Sequence, residues 1–141
     1  MPKIFCHRFV IPTDANDENG HVNNVAYIQW MQDAATLHSD AQGCPLERYQ
    51  QLGSSWVVRS HHIDYLHPAF AGEDIEIKTW VCDMKRSRSL RRYCFLRVTD
   101  QVVLARASTD WVYVNSQNGR PRSIDKEVSD AFILVAPEEE P

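Results

Sequence analysis

Thr13-Asp14-Ala15-Asn16-Asp17-Glu18-Asn19-Gly20-His21-Val22-Asn23-Asn24-Val25-Ala26-Tyr27 is the stretch from which the rest of the chain can be read. Its first half combines carboxylates, amides and a glycine, the residue types of a tight loop. Its second half enters a helical pattern, with Tyr27, Trp30, Met31, Ala34, Ala35 and His38 recurring at three- and four-residue spacing. Asn23 or Asn24 suits the N-cap, where a side-chain oxygen accepts an N–H that no helical carbonyl reaches. Gly43 suits the stop. Gln29, Gln32, Asp33 and Thr36 occupy the other side, while Val25 and Ile28 widen the apolar surface, so this helix is expected to be covered on more than one side.

Upstream, Lys3 to Ile11 reads as a strand ended by Pro12 and Asp14. Downstream, Pro45 to Leu52 suits a short second helix closed by Gly53. From Ser55 the period changes to two. Val57, Arg59, His61, Ile63 and Tyr65 fall on one face, and Trp56, Val58, Ser60, His62 and Asp64 on the other. His67-Pro68 breaks that strand, and Ala71 to Asp74 turns the chain. Ile75 to Met84, Leu90 to Thr99 and Val102 to Asn115 read as three further strands with short links, hence antiparallel neighbours. One helix cannot cover both faces of such a sheet, but the sheet can curl around the helix.

The 141 residues suit a single domain, expected over residues 1–135 with 136–141 as an acidic, disordered tail. A net charge of −4 argues against a nucleic-acid partner. Cys6, Cys44, Cys82 and Cys94 show no metal-ligand spacing and read as reduced thiols of a cytoplasmic protein. Cys6, His7 and Arg8 interrupt the apolar start, unlike a signal peptide, and no apolar run is long enough for a bilayer. His61, His62 and His67 do not form a metal motif, because neighbouring strand residues point to opposite faces. Ser60, Ser87 and Ser89 lack a nucleophile-elbow context. No metal or cofactor is expected.

A carboxylate beside a helix N-terminus pairs a base or nucleophile with N–H groups able to hold a developing negative charge, the two needs of acyl hydrolysis. The loop's carboxylates are Asp14, Asp17 and Glu18, with Asn19 and His21 as candidate partners. Lys85, Arg86, Arg88, Arg91 and Arg92 form the one basic cluster of an acidic chain.

Three motifs, in order, carry a resemblance. They are Asp17-x-x-Gly20-x-Val22-x-Asn24-x-x-Tyr27 running into Trp30; Ile63-x-Tyr65-x-x-Pro68-Ala69 followed by Gly72-x-Asp74; and Lys85-Arg86-Ser87-Arg88-Ser89. Over roughly Ile4 to Ile124 the chain resembles the 4-hydroxybenzoyl-CoA thioesterase family, of α+β hotdog fold, in which a curved antiparallel sheet wraps one long central helix. The resemblance implies an acyl-CoA thioesterase with Asp17 as general base or nucleophile and a backbone N–H near Asn24 as oxyanion site. It implies that Arg86, Arg88 and Ser89, between the third and fourth strands, contact the CoA phosphates. It also implies a site at a homodimer interface, with dimers often paired into tetramers. Tyr27, Arg59 and His61 are candidates for the acyl pocket, along with Trp56 and residues of the central helix.

The chain departs from the family's Asp-x-Asp at Ala15. Asp17, Asn19, His21, Val22, Asn23 and Asn24 also resemble the loop of plant-type acyl-carrier-protein thioesterases, although Pro68 and Ala69 stand where those carry a Glu-Cys pair. Cleavage of an acyl-carrier-protein ester and non-catalytic binding of acyl-CoA are therefore the alternative functions. A hotdog dehydratase fits less well, since the helix offers only Asp33 as its acid.

Overall fold

The computed structural model describes residues 3–18 and 20–141. Strand β1 (Phe5–Val10) is followed by helix α1 (Asn24–Ala41) and a short helix α2 (Leu46–Leu52). Then come β2 (Ser54–Tyr65), β3 (Asp74–Val81), β4 (Arg88–Arg97) and β5 (Val103–Asn115), with a single-turn helix α3 (Lys126–Ser129) near the C-terminus. The five strands form one antiparallel sheet in the order β1-β3-β4-β5-β2. This is the architecture expected from the sequence, with α3 the one α-helix not anticipated among the described residues.

The face of α1 that is buried is the one its periodicity marks: Tyr27, Trp30, Met31, Ala34, Ala35 and His38. It packs on the inward residues of β3, β4 and β5, among them the fully buried Ile75, Ile77, Phe95 and Leu104. Aromatic contacts set the helix direction. Trp30 meets Phe9 at 5.2 Å between ring centroids, and His38 stacks on Phe5 at 5.3 Å, so α1 runs antiparallel to β1. Of the second apolar surface, Val25 is 68% exposed and Ile28 is half-buried. Asn23 is the N-cap, its side chain accepting from the Val25 N–H at 2.8 Å. Helix α2 ends on Gly53 at φ 70°, left-handed backbone that a side chain strains.

Two expectations change. First, β2 carries a bulge between Val58 and Ser60, which leaves Arg59 without a partner on β5. The extra residue reverses the alternation. Trp56 and Val58 therefore share the half-buried inner side with His61 and Ile63, rather than lying opposite them. Second, the acidic tail expected to be disordered is seated on the outer face of the sheet. The Glu140 carboxylate accepts from Trp80 Nε1 at 2.8 Å and from Arg92 Nη1 at 2.7 Å. Val135 joins Trp80, Cys94 and Leu96 in a small apolar cluster beneath that segment.

Glu140→Ala would leave the buried Trp80 indole N–H without its acceptor. The expected loss of unfolding free energy is about 1–3 kcal/mol, read from urea denaturation followed by tryptophan fluorescence. A change of only a few tenths would mean that the tail contributes nothing to stability.

Candidate active site

The loop before α1 is a narrow hairpin closed by an Asn16–Val22 bridge. The Asp17 N–H donates to the His21 carbonyl at 2.6 Å, and the Gly20 N–H to the Asp17 carbonyl at 3.1 Å. Gly20 has φ 80°, the conformation this turn needs and glycine supplies without strain. The loop is tied on two sides. The Val22 N–H donates to the Ala69 carbonyl at 2.8 Å, and the Ala71 N–H to Asn16 Oδ1 at 3.1 Å. The Asn23 N–H donates to the Ala15 carbonyl at 2.7 Å. Asp17 and His21 thus face each other across the turn, both exposed, with the His21 ring edge-on to Phe70. Asn19, between them in sequence, lies outside the described residues.

At the helix start, the Asn23 carbonyl accepts from the Ala26 N–H at 3.0 Å, in addition to its side chain capping Val25. The Asn24 N–H meets no acceptor among the described residues. The Tyr65 hydroxyl donates to the Asn24 carbonyl at 3.0 Å and so pins the first turn of α1 to the end of β2. A cavity of about 230 Å³ opens here, lined by His21, Asn24, Tyr27, Tyr65 and Pro68. Tyr27 is buried against Tyr65 at 5.1 Å. Burial above all, aided by Tyr65, pushes its hydroxyl pKa up to about 12, so it stays neutral and can donate.

The remaining candidates lie elsewhere. Tyr65 pairs with Ala105 on β5, whereas Arg88 pairs with Val112, seven residues along. At about 3.3 Å per residue the two places are roughly 23 Å apart in one chain. Arg88 forms an ion pair with Asp110, and Arg59, turned outward at the bulge, approaches the same carboxylate at 3.6 Å. Arg86 donates to Ser123 Oγ at 3.1 Å. Arg88 and Ser89 belong to the start of β4 rather than to the preceding loop, because they pair with Val112 and Trp111 of β5. Ser89 is buried on the inner face and its hydroxyl donates to the Asp83 carbonyl at 2.8 Å, which withdraws it from phosphate contact. His61 faces inward, Nδ1 at 2.8 Å from Thr109 Oγ1, and burial lowers its pKa.

The basic cluster is also divided. Alternation along β4 sends Arg88 and Arg92 outward and Arg91 inward, where it is 5% exposed. Arg91 lines a second cavity, again about 230 Å³, between the C-terminal half of α1, α2 and the start of β2, with Trp56, Trp111 and Phe132 in its walls. Neither this cavity nor the inward arginine was anticipated, although the two-residue period of β4 already carried the signal. Among the described residues no cluster of His, Cys, Asp or Glu suits a metal ion, and no helix is long and apolar enough to cross a membrane.

Comparison with known proteins extends this geometry. The chain is 32% identical over 93 residues to a chloroplastic oleoyl-acyl carrier protein thioesterase of Arabidopsis thaliana, covering 64% of this chain and 25% of that protein. It is 24% identical over 127 residues to an L-carnitine dehydrogenase/betainyl-CoA thioesterase of Ruegeria pomeroyi, covering 89% of this chain and 25% of that protein. It therefore spans about a quarter of the length of these relatives. A 1,4-dihydroxy-2-naphthoyl-CoA thioesterase from Synechocystis superposes with a TM-score of 0.84 at 17% identity, covering 92% of this chain and 95% of that one. A Staphylococcus aureus protein solved in complex with CoA superposes at 0.85 and 15% identity, covering 96% and 90%. These structures share the hotdog fold. The profile of the thioesterase-like superfamily matches residues 10–132, and the chain belongs to that superfamily.

Proposed function

We propose that this chain is an acyl-CoA thioesterase of the 4-hydroxybenzoyl-CoA thioesterase type, working as a homodimer or a dimer of dimers. The observation that carries the reading is the start of α1. Asn23 satisfies the Val25 and Ala26 N–H groups and leaves the Asn24 N–H, backed by the helix dipole, beside the Asp17 loop. Such an N–H suits the oxyanion of a tetrahedral intermediate. Asp17 then either accepts a proton from water as its oxygen adds to the thioester carbon, or adds itself to give an anhydride that water cleaves. In both routes the C–S bond breaks, CoA leaves as its thiol, and the acyl group leaves as a carboxylate. His21 and Asn19 are proposed to orient the carboxylate and the attacking water.

The edge position of β2 supports the dimer. This strand of twelve residues is paired with β5 on one side only among the described residues. Antiparallel pairing with a second copy sets the Tyr65 end of one β2 beside the Ser54 end of the other. The Asp17 loop of one protomer then faces the Trp56 cavity of its partner, and the exposed Val25, Tyr65 and Leu66 lie toward the partner's exposed Leu46. Arg59 and Arg88 share Asp110 and Arg86 donates to Ser123 Oγ, so the three arginines retain net positive charge for the CoA phosphates. A second reading, an acyl-carrier-protein ester as substrate, is favoured by the 32% identity to an oleoyl-acyl carrier protein thioesterase. The same arginines would then grip an acidic carrier protein.

Release of CoA thiol from a panel of aroyl-CoAs and fatty acyl-CoAs tests the reading. Asp17→Asn is expected to lower turnover by ~100-fold or more. Turnover that survives the substitution would remove Asp17 from the chemistry, and turnover only with acyl-carrier-protein esters would select the second reading.

Arg86→Ala and Arg88→Ala are expected to raise KM for CoA esters by ~10-fold, with kcat little changed. The effect should shrink at high salt and vanish with pantetheine thioesters, which lack the nucleotide. An equal effect on both ester types would place these arginines outside nucleotide binding.

A further inference from the structure

Arg91 is a buried cation with no ion-pair partner among the described residues. Its Nη1 donates to His38 Nδ1 at 2.9 Å and to Thr79 Oγ1 at 3.1 Å, both neutral acceptors. The Thr79 hydroxyl spends its own proton on the Arg92 carbonyl at 3.0 Å, which fixes its oxygen as an acceptor toward Arg91. The Phe132 ring lies 5.9 Å from Arg91 Cζ. A guanidinium carries five N–H donors. Those on Nη1 are used, and those on Nε and Nη2 find no protein acceptor among the described residues. Burial lowers its pKa, and the titratable groups that act on it are the Tyr93 and Tyr49 phenols and the Cys82 thiol, none of them a carboxylate. The one carboxylate in the cavity lining, Asp40, is exposed and forms no ion pair with it.

An arginine held this way is expensive. Desolvating a charge without a counter-ion costs several kcal/mol, and an apolar residue of similar size would pack the same wall without that penalty. The guanidinium instead lines a mainly apolar cavity with Trp56, Val81, Met84 and Phe132 in its walls. Trp111 Nε1, in the same wall, is a second buried donor, directed at the Tyr93 hydroxyl without forming a regular hydrogen bond. The cavity volume of about 230 Å³ equals roughly seven or eight water-sized groups at ~30 Å³ each.

We infer that this cavity receives the far end of the acyl group and that Arg91 selects acyl chains ending in a carboxylate, the CoA half-esters of short dicarboxylic acids. The inference rests on the thioesterase reading for its chemistry and on the β2-paired dimer for access from the partner's Asp17 loop. A bidentate carboxylate would use the Nε and Nη2 donors together and supply the missing counter-charge. Arg91 is a specificity residue here, remote from the reacting carbon. It would act on the choice of acyl group and leave the attacking water and the oxyanion site untouched.

Glutaryl-CoA and pentanoyl-CoA differ only in that terminal carboxylate. Two measurements are made with each ester on the intact protein: thiol release, and equilibrium binding through the fluorescence of Trp56 and Trp111. Wild type is expected to favour glutaryl-CoA by ~10-fold or more in kcat/KM and in binding. Arg91→Met should abolish or invert that preference while keeping turnover of pentanoyl-CoA, and Arg91→Lys should keep part of it. Turnover of both esters without preference would overturn the inference and leave the thioesterase reading standing. Binding preference without turnover of any ester would uphold the inference and sink that reading. A wild-type preference that survives unchanged in Arg91→Met would also overturn it, and the wild-type comparison decides the matter even if the variant fails to fold.

Discussion

Burial of one face of α1 in the concave side of the sheet is the constraint on which everything else depends. Tyr27, Trp30, Met31 and Ala34 lie against Ile75, Ile77, Phe95 and Leu104, all nearly or wholly removed from water. Each large side chain buried in this way contributes about 1.5–3 kcal/mol. No other element of the chain could cover that surface, since α2 and α3 are short. The packing fixes where α1 begins as well as how it lies. Phe9 and Tyr65 hold its first turns through Trp30, Tyr27 and the Asn24 carbonyl. The Asp17 loop, tied to Ala69 and Ala71, then has a fixed relation to the helix N-terminus.

That geometry places two different surfaces along the helix. The N-terminal end presents exposed polar groups and an N–H outside the helical ladder. The C-terminal end covers a cavity whose only buried charge is Arg91. In one protomer these ends are too far apart to act on one small acyl group. The unpaired edge of β2 offers the means to join them, because an antiparallel two-fold reverses the ends. Exposed apolar residues at both ends, Val25 and Leu66 at one and Leu46 at the other, are the surfaces such pairing would cover.

Strand alternation decides the fate of the charged residues more than their position in the sequence does. Arg88, Arg91 and Arg92 look alike as a cluster, yet one residue of offset sends Arg91 into the interior and leaves Arg92 to meet Glu140 on the outer face. On β2 the bulge at Arg59 works the other way. It returns Trp56 to the inner side, where the indole N–H donates to the Tyr49 hydroxyl at 3.2 Å and the ring packs on Tyr113. A bulge needs two chains of backbone to define it, so no inspection of Val57 to Tyr65 alone reveals it.

Local patterns in the sequence determined the elements, their order and the buried face of α1. Helical spacing, the Asn23 cap, Gly43, Gly53 and the two-residue period of the strands all act over a few residues and are written in the chain. The composition of the loop from Asp17 to Asn24 marked the candidate site for the same reason, since turn and cap chemistry is local. The tertiary structure decided what depends on partners distant in sequence: the bulge that reorients β2, the docking of Glu140 on Trp80, the burial of Ser89, and the placement of Arg91 beside His38 and Thr79. Those outcomes come from the register between strands and the packing of α1 across them, which no short stretch of residues contains.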